Sequence, residues 1–288
     1  MRHSIAAALL SLALGAALPA PAASAGTTDQ WQRTYDVPGR ATLHLVTDDG
    51  AVRVHTWDRH SISVQVSTVG WSIGNGGVRV DEDQTAGRVR VGVHTPTWTF
   101  HFGMTRHTVN IEAWVPQTAD LTLETGDGSV DVPAVSGRLV VRTGDGSILV
   151  DGARGDLSLH SGDGRIVGRG LDGTLEAGTS DGAMRIDGRF DALSVESGDG
   201  DIVAEAVSGS RLRSDWSVHT GDGRVTLRIP RDLKAQIDAH TGDGSIQVDL
   251  PLTIMGRVSR SDVRGSLNGG GPLLRLRSGD GSIRIEGR

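Results

Sequence analysis

Between residues 121 and 204, hydrophobic and polar residues follow a pattern that repeats every 18 residues. Each repeat opens with Leu, has a second apolar residue two positions later, and has a third just after a short polar phrase. The opening positions are Leu121, Leu139, Leu157, Leu175 and Leu193, and those after the phrase are Val130, Ile148, Ile166, Met184 and Ile202. Apolar residues that alternate with polar ones predict strands with one face inward. A fixed period of this length is typical of a solenoid, in which one coil cannot bury its apolar side alone.

The polar phrase between the two strands of each repeat is also regular. Its nine copies, counting the one at residues 47–52, keep Ser or Thr first, Asp third, Gly fourth and an aliphatic residue or Met sixth. A tight reversal needs a positive φ at some position, which Gly adopts without steric cost and Asp tolerates. We therefore predict that the phrase turns each coil, with the Asp carboxylate and the preceding hydroxyl accepting hydrogen bonds from turn amides. The glycines assigned to this structural role are Gly128, Gly146, Gly164, Gly182, Gly200, Gly223, Gly244 and Gly281.

Outside this array the pattern is looser. Residues 43–54 hold one early copy of the repeat, and residues 70–116 alternate without the period, as in the aromatic stretch around Trp98. After the array the copies lie further apart, and the extra residues predict loops on one corner. We predict an all-β, right-handed parallel β-solenoid of about 18 residues per coil. An irregular β region is expected over residues 26–118 and regular repeats over residues 119–288, in one continuous domain.

The first 25 residues are built like a secretory signal peptide. They contain the basic Arg2, an apolar run over residues 5–18 and small residues at positions 23–25. This pattern predicts cleavage before Gly26 and export of the mature chain. No later stretch approaches the roughly 20 apolar residues that a membrane-spanning helix needs, and the chain has no Cys for a lipid anchor or a disulfide. We expect a periplasmic or extracellular protein associated with the cell envelope.

The net charge of the chain and its lack of known catalytic motifs limit the classes of function that we expect. The chain has 29 Lys and Arg against 35 Asp and Glu, a formal net charge of −6, and so we expect no nucleic-acid partner. The sequence has no Gly-x-Ser-x-Gly elbow, no His-Glu-x-x-His pair, no phosphate-binding loop and no Cys nucleophile. Carboxylate pairs are plentiful, but a repeat supplies them by construction. We therefore predict no catalytic residues.

Stacking places the third residue of each phrase in a column of like charges. These residues are Asp127, Asp145, Asp163, Asp181 and Asp199. At the spacing of parallel strands, each neighbouring pair costs somewhat under about 1 kcal/mol in bulk water. Backbone amides are one offset, and a bound calcium ion is another, because oxygen-rich turns suit that ion. Only one turn per coil carries Asp, whereas repeat-bound calcium uses turns on both sides. We favour the turn role without a cofactor and keep calcium as the alternative.

Three histidines, His160, His219 and His240, occupy the position just before the Ser or Thr of the phrase. His219 and His240 belong to consecutive copies, so their rings would be neighbours able to share a metal ion. The same position also holds Glu124, Arg142, Gly178, Glu196 and Arg277. This composition is typical of an exposed ladder of mixed charge. We favour the exposed ladder over the metal site.

Two stretches resemble a known family. Residues 111–116, Ile-Glu-Ala-Trp-Val-Pro, lead into the phrase within residues 121–130, and residues 267–276 precede the last phrase at 278–283. This arrangement resembles the bacterial adhesin-like family of exported β-strand-repeat proteins, a domain of unknown function. In that family a strand ending in Val-Pro leads into repeated L-x-L-x-T-x-x-G-x-I phrases. The resemblance covers about residues 40–288 and implies a β-solenoid with an envelope-associated role.

We expect a non-enzymatic scaffold or adhesion module that binds a protein or a glycan at the cell envelope. The first alternative is carbohydrate binding or processing along one face of the solenoid. Its candidate stacking platforms are Trp57, Trp71, Trp98 and Trp114. The competing interpretation of these tryptophans is burial in the core. A second alternative is a component that senses envelope stress.

The last phrase lies close to the end of the sequence. The interval before it corresponds to about two coils, one of which has lost its phrase around residues 259–271. No capping segment follows the last phrase, and so we predict an open strand edge over residues 278–288. Arg284, Glu286 and Arg288 would then act as charged gatekeepers. This edge predicts a weak tendency to self-associate.

Overall fold

The computed structural model describes residues 28–96, 107–255 and 259–288. All regular structure in these ranges is β, and 23 strands join in one sheet that winds into stacked coils. The strands are β1 (Thr28–Asp36), β2 (Ala41–Thr47), β3 (Ala51–Trp57), β4 (Ser61–Val69), β5 (Arg79–Thr85), β6 (Arg88–His94), β7 (Thr108–Pro116), β8 (Ala119–Thr125), β9 (Val130–Val132), β10 (Ser136–Thr143), β11 (Ile148–Asp151), β12 (Arg154–Ser161), β13 (Ile166–Thr179), β14 (Met184–Ser197), β15 (Ile202–Ala206), β16 (Trp216–Thr220), β17 (Val225–Ile229), β18 (Ala235–Thr241), β19 (Ile246–Asp249), β20 (Leu252–Ile254), β21 (Asp262–Leu267), β22 (Leu273–Ser278) and β23 (Ile283–Gly287). Within the described ranges, no helix has the length and hydrophobicity needed to cross a bilayer.

Each regular coil consists of a strand before the polar phrase and a strand after it. The first strands β8, β10 and β12 pair in parallel, with Leu121, Leu139 and Leu157 as register partners. The second strands β9 and β11 also pair in parallel, with Val130 opposite Ile148. Equivalent residues of successive coils therefore lie side by side, which confirms the parallel β-solenoid.

The inward residues of both strands form one core that runs through the coils. Leu121, Leu139 and Ile148 are at most 1% exposed, and burial of apolar surface contributes roughly 25 cal/mol per Å². Trp216, which replaces the opening Leu of its coil, is fully buried and lies edge-on to Phe190, with the ring centroids 6.4 Å apart. Edge-to-face contact is a favoured geometry for aromatic rings. The core therefore accommodates this Trp instead of displaying it.

From Thr125 onward, the hydroxyl group at the first position of the phrase links each coil to a neighbouring coil. Thr143 Oγ1 accepts a hydrogen bond from Gly146 N and donates to Gly128 O of the preceding coil, both at 3.1 Å. Ser161 Oγ accepts from Gly164 N at 2.9 Å and donates to Gly146 O at 3.0 Å in the same way. The buried residues at this position are Thr47, Thr125, Thr143, Ser161, Thr179, Ser197, Thr220, Thr241 and Ser278. Ser or Thr is needed there because the buried group must both donate and accept. We call this series the hydroxyl ladder.

The fourth position of the phrase requires Gly because successive coils approach closely there. A Cβ atom on Gly146 would overlap Gly128 O, and one on Gly164 would overlap Gly146 O. The same overlap with the neighbouring coil's carbonyl recurs at Gly128, Gly182, Gly200, Gly223, Gly244 and Gly281. None of these eight glycines has a φ in the left-handed region. The expected reason for Gly, a positive φ, is therefore wrong. Gly is needed at this position because two backbones approach closely.

The N-terminal end of the solenoid is built out of chain order. β2 pairs with β8, with Leu43 opposite Leu121, so the early copy of the repeat stacks directly on the regular array. β6 and β7 then pair with the outer edges of β2 and β3. Two sets of antiparallel strands extend the sheet further. β5 pairs with β6, and β4 pairs with β7 on one side and with β1 on the other. Glu82 of β5 joins them by accepting hydrogen bonds from Arg33, at 2.6 Å from its Nη2, and from Tyr35. The Arg33 guanidinium holds the pKa of Glu82 below its usual value.

At the other end of the solenoid, the coil that comes last in the sequence lies between two earlier coils. β22 lies between β16 and β18, and β23 lies between β17 and β19, all in parallel. The predicted open edge over residues 278–288 is therefore wrong, because both edges of this coil are paired. Its expected gatekeepers instead contact neighbouring coils. Glu286 accepts a hydrogen bond from Arg228 Nε at 2.8 Å, and Arg288 pairs with Glu205.

A hairpin covers this end in place of the expected coil without a phrase. β20 and β21 pair antiparallel, and β21 pairs antiparallel with β18. Leu267 and Val263 of β21 are buried against the core. The hairpin therefore extends the first-strand side of the solenoid past its last parallel strand.

Removal of residues 273–288 should detach the strands that lie outside the last coil. Without β22 and β23, β18 and β19 lose their parallel partners, so residues 231–270 should unfold while residues 119–206 stay folded. Hydrogen exchange with mass spectrometry would show this as lost protection over residues 231–270. Lost protection limited to the residues next to the cut would contradict the strand order.

Replacing Thr143 with Val should destabilise the protein by about 1–3 kcal/mol, because Gly146 N and Gly128 O lose a buried partner while the side-chain shape is kept. Thr143→Ser retains the hydroxyl and should cost less. The matched control is Thr122→Val, since Thr122 is half-buried on the outer side of β8. Its hydroxyl makes no hydrogen bond within the described residues, and the change there should stay within about 0.5 kcal/mol. Urea unfolding measures all three variants, and equal losses at both positions would contradict the hydroxyl ladder.

Candidate binding face

The predicted column of Asp residues lies in exposed turns. Its members are Asp127, Asp145, Asp163, Asp181 and Asp199. Within the described residues their carboxylates accept no hydrogen bond, so the expected offset by turn amides is wrong. In the described part of the chain, no group of three or more His, Cys, Asp or Glu is placed to hold a metal ion. Calcium stays a prediction without a preformed set of ligands.

Neutralising one carboxylate of this column should stabilise the protein slightly. Asp145 has a like charge on the coil before it and on the coil after it, and each pair repels by under about 1 kcal/mol in water. Asp145→Asn should raise the melting temperature by about 1–2 °C, and high salt should remove the difference by screening. Calorimetry with excess calcium or excess chelator is the control. A calcium-dependent rise in the unmodified chain that disappears in the variant would contradict this account and show a cation site.

His219 and His240 are not neighbours in the folded chain. β22 lies between their strands, and Arg277 is the register partner of both. On its other side, His240 Nδ1 lies 3.0 Å from Asp262 Oδ1. The shared metal site is wrong because an arginine occupies the position between the two histidines. This row of the solenoid is a ladder of mixed charge.

The four predicted stacking tryptophans have different surroundings. Trp98 lies outside the described residues. Trp71 packs against the core and stacks on His107, with the ring centroids 4.8 Å apart. Trp57 and Trp114 are half-buried on the outer sides of β3 and β7. Of the three described residues, these two combine an outward position with support from paired strands.

Trp57 and Trp114 belong to an outer face made by β1, β4, β7, β3 and β9, in that spatial order. The inward residues of these strands, such as Val54 and Ala113, are buried in the core. The residues between them point outward, because side chains alternate along a strand. Register places His55 beside Trp114, and Trp57 follows two residues further along β3. We call these three residues the aromatic row.

The aromatic row is held by contacts around its rings. His55 stacks on Trp114, with the ring centroids 5.0 Å apart and the planes 19° from parallel. Trp57 Nε1 donates a hydrogen bond to Ser61 O at 2.8 Å, and the Arg59 guanidinium carbon lies 4.9 Å from the centroid of the Trp57 ring. Stacking and cation–π contacts fix ring orientation. The rings are therefore oriented before a ligand arrives.

A second row, of planar polar side chains, runs beside the aromatic row. Register places Gln32, Gln65, Glu112, Arg53 and Asp131 side by side across the five strands. Arg53 Nη1 lies 3.9 Å from Glu112 Oε1, and Arg53 Nε lies 3.9 Å from Asp131 Oδ2. Both distances are longer than a hydrogen bond. A shallow groove of about 310 Å³ is lined by Arg53, Glu112 and Asp131 of this series and by Asn110. We call this series the polar row, and the two rows together the aromatic–polar face.

The sequence indicates only part of this face. It marks Trp57 and Trp114 as stacking residues, but it does not show that β7 pairs with β3 on one side and β4 on the other. The polar row has one sequence signal, the alternation of polar with apolar residues along each strand. That signal assigns a side chain to the outer side of its own strand and says nothing about its neighbours.

A second outward groove lies on the first-strand side of the solenoid. It has a volume of about 570 Å³ and is lined by His160, Glu176, Gly178, Glu196 and other polar residues. Gly178 leaves a gap in the exposed ladder, but the His160 ring lies against it, 3.1 Å from where a Cβ atom would be. A neighbouring side chain thus partly fills the gap. The aromatic–polar face, which has oriented rings and hydrogen-bonding groups together, is the stronger candidate site.

The coils stack in parallel around a shared apolar core, and antiparallel strands flank them at both ends. This architecture defines the protein as a β-solenoid domain protein. The chain belongs to the Toastrack family DUF4097, whose family model matches residues 41–286. This match confirms the resemblance carried by residues 111–130 and by the closing phrase.

Solved structures of low sequence identity are also similar to this chain. A candidate adhesin from Bacteroides fragilis is 10% identical with a TM-score of 0.40, over 90% of this chain and 97% of that one. A candidate lipid-binding protein from Parabacteroides distasonis is 13% identical with a TM-score of 0.48, over 90% and 98%. A candidate cell-adhesion protein from Clostridium sporogenes is 10% identical with a TM-score of 0.28, over 90% and 100%. None of the curated proteins matches this chain.

Proposed function

We propose that this protein is an exported, non-enzymatic binding module of the cell envelope, adhesin-like or scaffolding in role, that holds its partner on the aromatic–polar face. The observation that carries the proposal is the pairing of an outward aromatic row with an outward polar row on neighbouring strands. Binding sites commonly combine apolar and aromatic surface with a few placed polar groups.

The strands beneath the face favour binding without rearrangement. β4, β7 and β3 each have hydrogen-bonded neighbours on both sides, so the backbone under the two rows is held in the sheet. Side chains presented from paired strands lose little conformational freedom when a ligand binds. The face therefore suits lasting attachment to a partner.

Exposure of the charged groups favours binding over catalysis. The Arg53 and Asp131 side chains are 61% and 47% exposed. Catalytic acids and bases are usually tuned by burial beside a specific charge, and these groups lack that burial. They are suited to contact a ligand at the surface.

Export and an envelope location rest on the signal-peptide pattern of residues 1–25 and on the resemblance of residues 40–288 to exported β-strand-repeat proteins. The location is tested by expressing the full chain in a bacterial host. Intact-mass measurement should find it in the periplasm or the medium without its leader. Recovery of the uncleaved chain from the cytoplasm would contradict the proposal.

Binding through the face is tested by sedimentation of the purified full chain with intact bacterial cells or isolated envelopes. Arg53→Ala should weaken sedimentation severalfold, because it removes the central donor of the polar row. Arg142→Ala is the matched control, since Arg142 is also an exposed arginine near a carboxylate, 3.7 Å from Glu124, but on the first-strand side. Equal binding by both variants would contradict the choice of face.

A further inference from the structure

We infer that the ligand of the aromatic–polar face is an uncharged glycan chain. This inference rests on the proposed function and names the chemical class of the partner. One side of a sugar ring carries C–H groups that pack on aromatic rings, while its rim carries hydroxyls that need donors and acceptors. The aromatic row and the polar row supply these two surfaces next to each other.

The backbone at the centre of this face is not available for recognition by strand addition. An extended peptide that adds to a sheet needs an unpaired strand edge, and β4, β7 and the Val52–Arg53 part of β3 have both edges paired. Recognition at the centre of the face therefore depends on side chains. Flat aromatic rings beside planar polar groups suit a sugar better than a peptide backbone.

The polar row matches a series of hydroxyl groups. Glu112 and Asp131 are acceptors, Arg53 offers only donors, and Gln65 offers both. A hydroxyl donates and accepts, so successive hydroxyls of a glycan can pair with each member of the row. Five strands at about 4.8 Å spacing give the row a length of roughly 19 Å. An extended chain uses this length, whereas a single small molecule does not.

The charges of the row favour an uncharged partner. Two carboxylates flank one guanidinium, with Arg53 at 3.9 Å from both Glu112 and Asp131. An anionic polymer would be repelled by the two carboxylates, and a cationic peptide would meet the exposed Arg53 between them. An uncharged polyhydroxyl chain is repelled neither by the carboxylates nor by Arg53, and it can hydrogen-bond to every group of the row.

Calorimetric titration of the purified full chain with cellohexaose, laminarihexaose, maltohexaose and chitohexaose tests this inference, with oligogalacturonate as the anionic comparison. We expect at least one uncharged hexasaccharide to bind and the anionic one to bind more weakly. Trp114→Ala should raise the Kd about tenfold or more, because the sugar loses its stacking surface. Trp114→Phe, which keeps an aromatic ring, should recover part of the binding.

Glu112→Gln tests the polar row without disturbing the rings, and it keeps the inference falsifiable if Trp114→Ala does not fold. It should also weaken binding, because the charged acceptor is lost. Glu124→Gln is its matched control, since the Glu124 and Glu112 side chains are 39% and 35% exposed and each lies near an arginine. This variant, on the first-strand side, should bind as the unmodified chain does.

Three outcomes would overturn the inference: no binding of any uncharged hexasaccharide, preferential binding of oligogalacturonate, or unchanged binding in folded Trp114→Ala and Glu112→Gln. The proposed function fails separately. If the sugars do not bind but Arg53→Ala still weakens sedimentation with cells, the face binds a partner of another class. If Arg53→Ala has no effect on sedimentation either, both proposals fail.

Discussion

The structure depends on one buried interaction, the hydroxyl that links the turn of each coil to the carbonyl of the coil before it. Thr143 and Ser161 each satisfy an amide of their own turn and a carbonyl of the neighbouring turn. Because that carbonyl lies where a Cβ atom would be, the fourth position of the phrase must be Gly. Close backbone approach and the hydroxyl ladder therefore impose the same phrase on every coil. The exposed Asp takes no part in these bonds.

Stacking by this rule leaves two ends to close, and the chain closes both out of sequence order. At one end, β22 and β23 return between two earlier coils. At the other, β6 and β7 pass outside β2 and β3 before the regular array begins. A solenoid end exposes unpaired strand edges. At the N-terminal end the antiparallel strands β5 and β4 pair with the outer edges of β6 and β7, and at the other end β21 pairs with the outer edge of β18. The ion pair between Glu82 and Arg33 ties the N-terminal additions together.

The N-terminal closure also creates the candidate site. By adding β7, β4 and β1 beside β3, it widens one face of the solenoid with strands that do not carry the repeat. The regular coils repeat the same outward positions and offer a ladder of mixed charge. The added strands bring Trp114 and Glu112 next to His55 and Arg53. Function is therefore proposed where the chain departs from its period.

The sequence by itself determined the fold class, the coil period and the inward residues, because the alternation around Leu121 and Val130 acts within one strand or one turn. It also marked Trp57 and Trp114. It did not determine which strands are neighbours at the ends. The copies at Thr220 and Thr241 are consecutive in the sequence, yet the coil of Ser278 lies between them. Nearly identical phrases stack equally well in several orders, so local pattern carries no information about order. Only the tertiary structure, in which these coils share one core, placed Arg277 between His219 and His240 and assembled the polar row.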